Sequence, residues 1–212
     1  MLYNAVFWDL DGTLYNNHGK IPANEKNVLS LWEPLSTVPT DLKYWVPYPG
    51  LADLMSQIPK DRQGIISNGY DQLQRDKLRL LGLDTYINPD LIFTSYGEAQ
   101  KALGLSGHPL TDHSDEISDM TRKTQKPEPY MFEQALRATG FSAKECIMIG
   151  DDWHDILGAK SVGMPSIIVT GSTRHMLESD RYTLLRALRN FKPYYHRVNR
   201  GDIQSLTTLL IG

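Results

Sequence analysis

The chain has 212 residues, 41% of them hydrophobic and 22% charged, which is enough apolar material to bury the core of one globular domain. Its formal net charge of −3 excludes a global electrostatic case for a nucleic acid, a membrane surface or a polyacidic partner. No apolar run approaches the roughly 20 residues that span a bilayer, and no signal-peptide pattern opens the sequence. We therefore expect a cytoplasmic protein.

Short apolar runs recur along the chain, and segments with helical periodicity lie between most of them. The runs cover residues 5–8, 65–66, 91–93, 147–149 and 167–169. This alternation predicts repeated βα units around a buried parallel sheet. The single cysteine, Cys146, borders the fourth run, and we interpret it as a buried small hydrophobe and not as a reactive thiol.

Three predicted helices carry their own boundary signals. Residues 71–81 place leucines along one stripe and stop at Gly82, which suits a left-handed C-cap. Residues 128–139 repeat this scheme and stop at Gly140. Asp202 can cap a last helix near the end of the sequence.

Two stretches do not fit the βα rhythm. Residues 16–47 contain a predicted helix followed by prolines, and we interpret them as a small cap insertion. Residues 97–125 are mixed in composition and too long for an ordinary connection, which indicates a second insertion near the active site. The predicted catalytic core then comprises residues 1–15 and 48–212.

Two carboxylates, Asp9 and Asp11, follow the first predicted strand, and ligands bind at the carboxyl ends of strands in an open parallel sheet. In an extended chain both project to the same side, and Gly12 lets the chain bend beyond them. Two like charges this close are unfavourable without a cation, and a hard cation such as Mg²⁺ suits oxygen ligands. The alternative is an ordinary strand-end turn with two solvated aspartates.

A second acidic cluster, formed by Asp151, Asp152 and Asp155, follows the fourth apolar run. Three carboxylates on one strand-to-helix turn indicate a functional role. As an alternative, Asp151 or Asp152 caps the helix that is predicted to begin near Trp153. We interpret His154 as a surface or packing residue.

A candidate phosphate cradle lies between these clusters. Ser67, Asn68 and Gly69 follow the second apolar run, and a hydroxyl with backbone N–H groups in a turn can hold phosphate oxygens. Lys126 can supply compensating positive charge. Each signal by itself is also an ordinary turn or the start of a helix, so their order and position carry the argument.

The order of these motifs resembles the haloacid dehalogenase-like superfamily of phosphatases, over nearly the whole chain outside the two insertions. Residues 67–83 and 126–132 look like its nucleotide and acylneuraminate phosphatase branch. The resemblance implies an α/β fold, a doubly wound Rossmann-like parallel sheet with helices on both faces and small cap insertions. The cap insertion at 16–47 is smaller than is usual in relatives with these motifs.

The resemblance also implies a role for each motif residue. Asp9 is the nucleophile and Asp11 is the general acid and base. The transferring phosphoryl group is held by three neighbouring residues, Ser67, Asn68 and Gly69. Lys126 stabilises that group. The implied catalytic residues are therefore Asp9, Asp11 and Lys126.

The implied cofactor is Mg²⁺. Its ligands are the Asp9 carboxylate, the Asp11 backbone carbonyl and Asp151. Asp155 acts through water, and Asp152 is an open candidate for the same outer shell.

We therefore predict a Mg²⁺-dependent phosphatase that hydrolyses a phosphate monoester through an aspartyl-phosphate intermediate. The expected substrate is a small metabolite such as a nucleotide or sugar phosphate. The alternatives are a phosphomutase or phosphotransferase of the same family, a nucleic-acid end phosphatase and a non-catalytic phosphate-binding module. Asp11 argues against a dehalogenase, because dehalogenases of the superfamily generally lack an acid at this position.

Two further expectations concern the periphery. Residues 174–200 combine basic and aromatic residues, which suits single-stranded nucleic acid, but a solvated helix face with packed tyrosines is the favoured interpretation. The two insertions should lie on the same side of the molecule, over the carboxyl edge of the sheet. Candidate substrate contacts within or beside them are Tyr15, His18, Tyr44, Trp45 and His108. The sequence leaves the oligomeric state open.

Overall fold

The computed structural model describes residues 2–16, 46–105, 115–170, 195–199 and 202–211. The strands in these ranges are β1 (Ala5–Trp8), β2 (Tyr15–Asn16), β3 (Val46–Pro47), β4 (Gln63–Ser67), β5 (Ile92–Thr94), β6 (Cys146–Gly150), β7 (Ser166–Thr170) and β8 (Tyr195–Asn199). The α-helices are α1 (Leu51–Ser56), α2 (Asp71–Leu80), α3 (Ser95–Ala102), α4 (Asp115–Thr124), α5 (Tyr130–Thr139), α6 (Trp153–Ser161) and α7 (Ile203–Ile211).

Six strands form one parallel sheet in the order β5-β4-β1-β6-β7-β8. The chain moves outward from β1 to β4 and β5 on one side, and then returns to β6, β7 and β8 on the other. Such a reversal of direction places a ligand-binding crevice at the carboxyl ends of the central strands. The predicted doubly wound α/β fold is confirmed.

Alternate residues of β1 enter two separate hydrophobic cores, because successive side chains of a strand point to opposite faces. Val6 and Trp8 belong to the core that also contains apolar residues of α1, α2 and α7. Ala5 and Phe7 belong to the other core, which is closed by residues of α5 and α6. The sheet is therefore covered by helices on both faces, and its central strand is buried throughout.

The helix boundaries lie close to the predicted ones, with one informative difference. The helix predicted over residues 128–139 begins at Tyr130, because Pro129 occupies the N-cap position and a proline lacks the N–H of a helix interior. It ends at Gly140, which has a left-handed φ of 69°, as predicted. Asp202 accepts a hydrogen bond from the backbone N–H of Ser205, so the predicted cap of α7 is confirmed.

The predicted first insertion leaves the core through a two-stranded stem. Tyr15 of β2 pairs with Pro47 of β3, and Asn16 pairs with Val46, in antiparallel register. Residues 17–45 lie outside the described part of the chain, and with them the candidate contacts His18, Tyr44 and Trp45. The domain boundaries remain a prediction.

The second predicted insertion contains two helices that the sequence analysis did not identify. Most of α3 and all of α4 fall within residues 97–125, and the two helices pack together. Thr124 at the end of α4 donates a hydrogen bond to the Ser95 carbonyl at the start of α3, at 2.7 Å. Residues 106–114, which include His108, lie outside the described part of the chain.

The edge strand β8 was also not predicted, because its sequence Tyr-His-Arg-Val-Asn lacks an apolar run. It pairs in parallel with β7 over its whole length. The rest of the basic, aromatic segment 174–200 lies outside the described residues.

Candidate active site

Three neighbouring strands end at one place and bring the predicted site residues together. Asp9 follows β1, Ser67 ends β4 and Asp151 follows β6, and these strands are adjacent in the sheet. Lys126 reaches the same place from the segment between α4 and α5. The parallel arrangement therefore gathers residues from widely separated parts of the sequence at one edge.

Lys126 forms the centre of a buried ion cluster. Its Nζ lies 2.6 Å from Oδ1 of Asp9 and 2.5 Å from Oδ1 of Asp155, and it also donates to the Ile66 carbonyl at 3.2 Å. The side chains of Lys126 and Asp9 are 5% and 8% exposed, and that of Asp155 is fully buried. Charges this deeply buried persist only when they are paired, so the three groups depend on one another.

Burial and charge act in opposite directions on these groups. Burial raises the pKa of Asp9 and of Asp155 above the usual value, although Lys126 opposes that rise. Burial alone would lower the pKa of Lys126, but the carboxylates of Asp155 and Asp9 outweigh it and raise that pKa. Lys126 therefore stays protonated, and its charge stabilises an ionised carboxylate beside it.

Asp151 completes a group of three carboxylates with Asp9 and Asp155. Each of the three offers an oxygen atom, and these oxygens all lie within 4.8 Å of one another. Gly12 has a φ of 82°, and a Cβ atom at this position would overlap the Asp151 carboxylate. Only glycine therefore allows the chain after Asp9 to turn so closely past Asp151.

This donor set fits the Mg²⁺ ion that the sequence predicts. All the donors are oxygens, their negative charge exceeds the single charge of Lys126, and hard cations prefer carboxylate ligands. The carboxylate of Asp11 is not in the group, and a role for the Asp11 backbone carbonyl as a ligand stays a prediction.

Asp152 caps α6, as the alternative interpretation proposed. Its carboxylate accepts a hydrogen bond from the backbone N–H of His154 at 3.0 Å, and it also contacts the His154 ring nitrogen Nδ1 at 2.7 Å. The His154 ring packs against Trp153, with ring centroids 3.7 Å apart. His154 therefore has the packing role that was expected, in contact with Asp152 and Trp153 at the start of α6.

Asp11 is bound by Lys77 and Gln74, to which the sequence analysis assigned no role, and by Tyr15, which it named as a candidate substrate contact. Lys77 Nζ lies 2.8 and 2.9 Å from the two Asp11 carboxylate oxygens, and the Tyr15 hydroxyl donates to Oδ1. Gln74 Nε2 lies 3.5 Å from Oδ2. Lys77 and Gln74 are three positions apart on α2 and so share one helix face, which is the signal that could have identified them.

Lys77 also controls the charge of Asp11. Burial by itself would raise the pKa of Asp11, but the Lys77 ammonium group and the hydrogen bonds from Lys77, Tyr15 and Gln74 hold it below the ordinary value. The two neighbouring carboxylates Asp9 and Asp11 are thus stabilised by different lysines. The sequence analysis had expected a cation alone to relieve their repulsion.

The candidate phosphate cradle is held in place by its neighbours. Asn68 Oδ1 accepts a hydrogen bond from the backbone N–H of Lys126 at 2.8 Å, which ties the turn after β4 to the lysine. The Gly69 N–H donates to Ser95 Oγ at 2.9 Å, so this donor is already used within the protein. Ser67 is buried at the end of β4. The three residues lie beside Asp9 and Lys126, and their contact with phosphate remains a prediction.

Comparison with known proteins shows which families the chain resembles. The family model described as HAD-hydrolase-like matches residues 124–191. A pyrophosphatase PpaX of Bacillus cereus is 24% identical over 223 aligned positions, which cover 95% of this chain and all of that protein. In sequence and in fold, the chain is similar to haloacid dehalogenase-like hydrolases. Many solved structures of this superfamily share its fold.

Two solved structures illustrate the likeness of the chain to its structural neighbours. A HAD phosphatase from Thermococcus onnurineus superposes with a TM-score of 0.60 at 17% identity, covering 98% of this chain and 97% of the other. A conserved haloacid dehalogenase-like protein from Agrobacterium tumefaciens gives 0.58 at 19% identity, covering 99% and 100%. Identities this low establish the fold alone. The nucleotide and acylneuraminate branch stays a prediction.

Among the described residues, none of the helices combines the length and the apolar character that a bilayer span requires.

Proposed function

We propose that this hydrolase is a Mg²⁺-dependent phosphatase that forms an aspartyl-phosphate at Asp9 and acts on a small phosphorylated metabolite. The observation that carries the proposal is the position of Lys126, whose Nζ contacts both Asp9 and Asp155 in a buried site. A carboxylate nucleophile and a fixed cation are the two elements that phosphoryl transfer needs at one point. The names of two relatives, a pyrophosphatase and a phosphatase, support the same chemistry.

In the first step, a carboxylate oxygen of Asp9 attacks the phosphorus atom, and the bond between phosphorus and the ester oxygen breaks. Asp11 donates a proton to the departing oxygen, so the alcohol leaves as a neutral molecule. Lys77 favours the ionised form of Asp11, but a phosphate group bound nearby is itself an anion and favours the protonated form. Substrate binding therefore prepares Asp11 for this role.

In the second step, Asp11 takes a proton from a water molecule, and the water oxygen attacks the phosphorus atom. The bond to Asp9 breaks, inorganic phosphate leaves and the Asp9 carboxylate is restored. Lys77 and Tyr15 stabilise the ionised Asp11 that this step requires. Lys126 stabilises the negative charge on the transferring group in both steps.

The residues that would hold Mg²⁺ are Asp9, Asp151 and Asp155, together with the Asp11 backbone carbonyl. A divalent cation there neutralises charge on the phosphoryl oxygens. Gly12 and the short connections after β1 and β6 position these carboxylates before any ligand arrives.

Trapping the intermediate tests the proposal. Rapid acid quenching during turnover, followed by borohydride reduction, should convert phosphorylated Asp9 to homoserine, which peptide mass spectrometry detects. Asp9→Asn should lose both the homoserine product and turnover of an aryl phosphate, and chelation of Mg²⁺ should abolish turnover. Asp53→Asn, an exposed change on α1, is the matched control and should behave like the parent protein. Full turnover by Asp9→Asn would contradict the nucleophile assignment.

A further inference from the structure

We propose that the organic part of the substrate carries an aromatic ring, which binds in a cavity between α2, α3 and α4. This inference rests on the proposed phosphatase function and adds the substrate class. It is argued from the position of the cavity beside Asp11, from its apolar lining and from the internal hydrogen bonds of its polar residues.

The position of the cavity follows from the first chemical step. The cavity has a volume of about 610 Å³, and Asp11 and Lys77 lie in its wall. The ester oxygen must come within hydrogen-bond reach of Asp11 to receive its proton. The group attached to that oxygen therefore extends from Asp11 into the neighbouring space. A volume of this size falls in the range of pockets that enclose small organic molecules.

The lining of the cavity suits an aromatic ring. Two tyrosines, Tyr70 and Tyr96, stand in its wall with ring centroids 4.3 Å apart and planes inclined at 50°. Leu73 and Ile117 extend the apolar surface, and most of the lining area is apolar. A planar ring can stack on such tyrosines and loses little conformational entropy when it binds.

Several polar residues of the lining are engaged within the protein, which disfavours a polyhydroxylated sugar, although the buried Oε1 atom of Gln74 has no partner among the described residues and can accept one hydrogen bond from a ligand. Asn68 bonds to Lys126, and the amide nitrogen of Gln74 donates to the Asn68 carbonyl at 2.8 Å. Ser95 accepts from Gly69, and Thr121 Oγ1 donates to the Ile117 carbonyl at 2.8 Å. A sugar hydroxyl would have to displace these bonds or lose its own bonds to water.

The charged residues of the lining also have partners. Lys77 is paired with Asp11, and Arg122 contacts Asp119 one turn earlier on α4. The Arg122 pair is exposed and costs little to break, but an anionic substrate group that drew Lys77 away would leave the partly buried Asp11 carboxylate without its cation. An uncharged aromatic group leaves the Lys77 pairing in place.

The outer wall of the cavity comes from the second predicted insertion. Four of the lining residues belong to α4: Ile117, Ser118, Thr121 and Arg122. Thr124 fixes this helix to the start of α3. Substitutions on the exposed side of α4 can therefore alter the cavity without touching the residues proposed for the chemistry.

A matched pair of substrates separates ring binding from leaving-group chemistry. Ethyl phosphate and 2-phenylethyl phosphate both release a primary alcohol, and only the second carries a ring. We expect kcat/KM to be about tenfold or more higher for 2-phenylethyl phosphate, because burying the ring removes its apolar surface from water. Tyr70→Ala and Tyr96→Ala should each reduce that preference about 2- to 10-fold.

A cavity-filling variant keeps the test decisive if a tyrosine variant fails to fold. Ser118→Trp places a large side chain at an exposed position of the wall, and should remove the preference for 2-phenylethyl phosphate over ethyl phosphate. Lys123→Trp, an exposed change on the same helix outside the cavity wall, is the matched control and should keep the preference for 2-phenylethyl phosphate.

The outcomes separate the two proposals. Turnover of both esters with equal kcat/KM, unaffected by Ser118→Trp, would overturn the aromatic-ring inference and leave the phosphatase proposal standing. Failure to hydrolyse any phosphate ester, with no homoserine at Asp9, would instead overturn the phosphatase proposal. A preference for 2-phenylethyl phosphate that Ser118→Trp removes would support both.

Discussion

At the scale of single residues, Lys126 has the largest energetic consequences. It is the only cationic side chain that the described residues place in contact with the buried carboxylates of Asp9 and Asp155. An uncompensated buried carboxylate is expensive, because the protein interior solvates charge poorly. The same contacts that position Lys126 for the proposed chemistry therefore also hold the fold together.

Replacement of this lysine should destabilise the protein in a way that Mg²⁺ partly reverses. Lys126→Met leaves Asp9 and Asp155 without their cation, and we expect a loss of about 3–5 kcal/mol in the free energy of unfolding. Mg²⁺ should restore more stability to the variant than to the parent protein, because it neutralises the same carboxylates. Urea unfolding with and without Mg²⁺ measures both effects.

An exposed lysine provides the control for that experiment. Lys123→Met on α4 removes the same charge from a solvated position and should change stability by less than about 0.5 kcal/mol. Equal losses in the two variants would show that the Lys126 ion cluster does not contribute specifically.

Cys146 gives a second prediction at the residue scale. The thiol is buried, and burial raises its pKa from 9.0 to about 11. At pH 8 the reactive thiolate should therefore be about 100-fold scarcer than in the unfolded chain. We expect iodoacetamide to leave Cys146 unmodified in the folded protein and to alkylate it in urea, as measured by mass spectrometry. Equal rates in both conditions would contradict the buried position.

At the scale of secondary-structure elements, the contact between α5 and α6 depends on one glycine. Gly158 of α6 lies against the ring of Phe132 of α5, and a Cβ atom at Gly158 would overlap that ring. Both helices cover the same face of the sheet, and Phe132 is fully buried there. The ring occupies the space that an ordinary side chain on α6 would fill.

Gly158→Ala should therefore destabilise the protein, although alanine is the better helix former. The gain in helix propensity is about 1 kcal/mol, and the cost of overpacking a buried ring is about 1–3 kcal/mol. We expect a net loss of up to about 2 kcal/mol in thermal or urea unfolding.

A second substitution identifies the cause of that loss. Phe132→Leu removes the ring that the alanine would strike, so the double variant should be more stable than the sum of the single changes predicts. Additive losses would show that the ring of Phe132 is not responsible.

At the scale of the whole molecule, both predicted insertions connect to the carboxyl edge of the sheet. The stem strand β2 begins at Tyr15, four residues after Asp11. The backbones of Tyr15 and Asp11 form an isolated β-bridge. The helix α4 lines the cavity beside Asp11. These positions support our proposal that the two insertions cover the same side of the active site.

Replacing residues 17–45 with a short glycine-serine linker tests the proposed cap. Asn16 and Val46 are paired directly opposite each other, so a short linker can close the stem at little entropic cost. We expect the free energy of unfolding to change by about 1 kcal/mol or less, and KM to change across a panel of phosphate esters. Unaltered substrate preference would show that these residues are not a cover.

Deletion of residues 100–122 from the second predicted insertion would be a less informative test. That range includes Ile117, which is buried in the described structure, and most of α4, which packs on α3. Its removal would expose apolar surface and lower stability, so Ser118→Trp is the better test of this segment.

The sequence by itself determined the five apolar strands β1, β4, β5, β6 and β7, the C-terminal ends of two helices and the order of the polar motifs. Strand and helix periodicity, glycine caps and strand-end carboxylates are local patterns, and Gly140 and Asp202 occur where such patterns predict. The helix α4 and the strand β8 were missed, because their residues are polar and their stability comes from packing against α3 and pairing with β7. Local propensity carries little information about such elements.

Only the tertiary structure decided which charges meet. Lys77 and Asp11 are 66 positions apart, and Lys126 and Asp9 are 117 apart, so no spacing rule could pair them. The cavity between α2, α3 and α4 likewise exists only once three separate segments are packed together. Side-chain contacts of this range depend on the strand order of the folded sheet, since that order brings the ends of β4, β1 and β6 side by side.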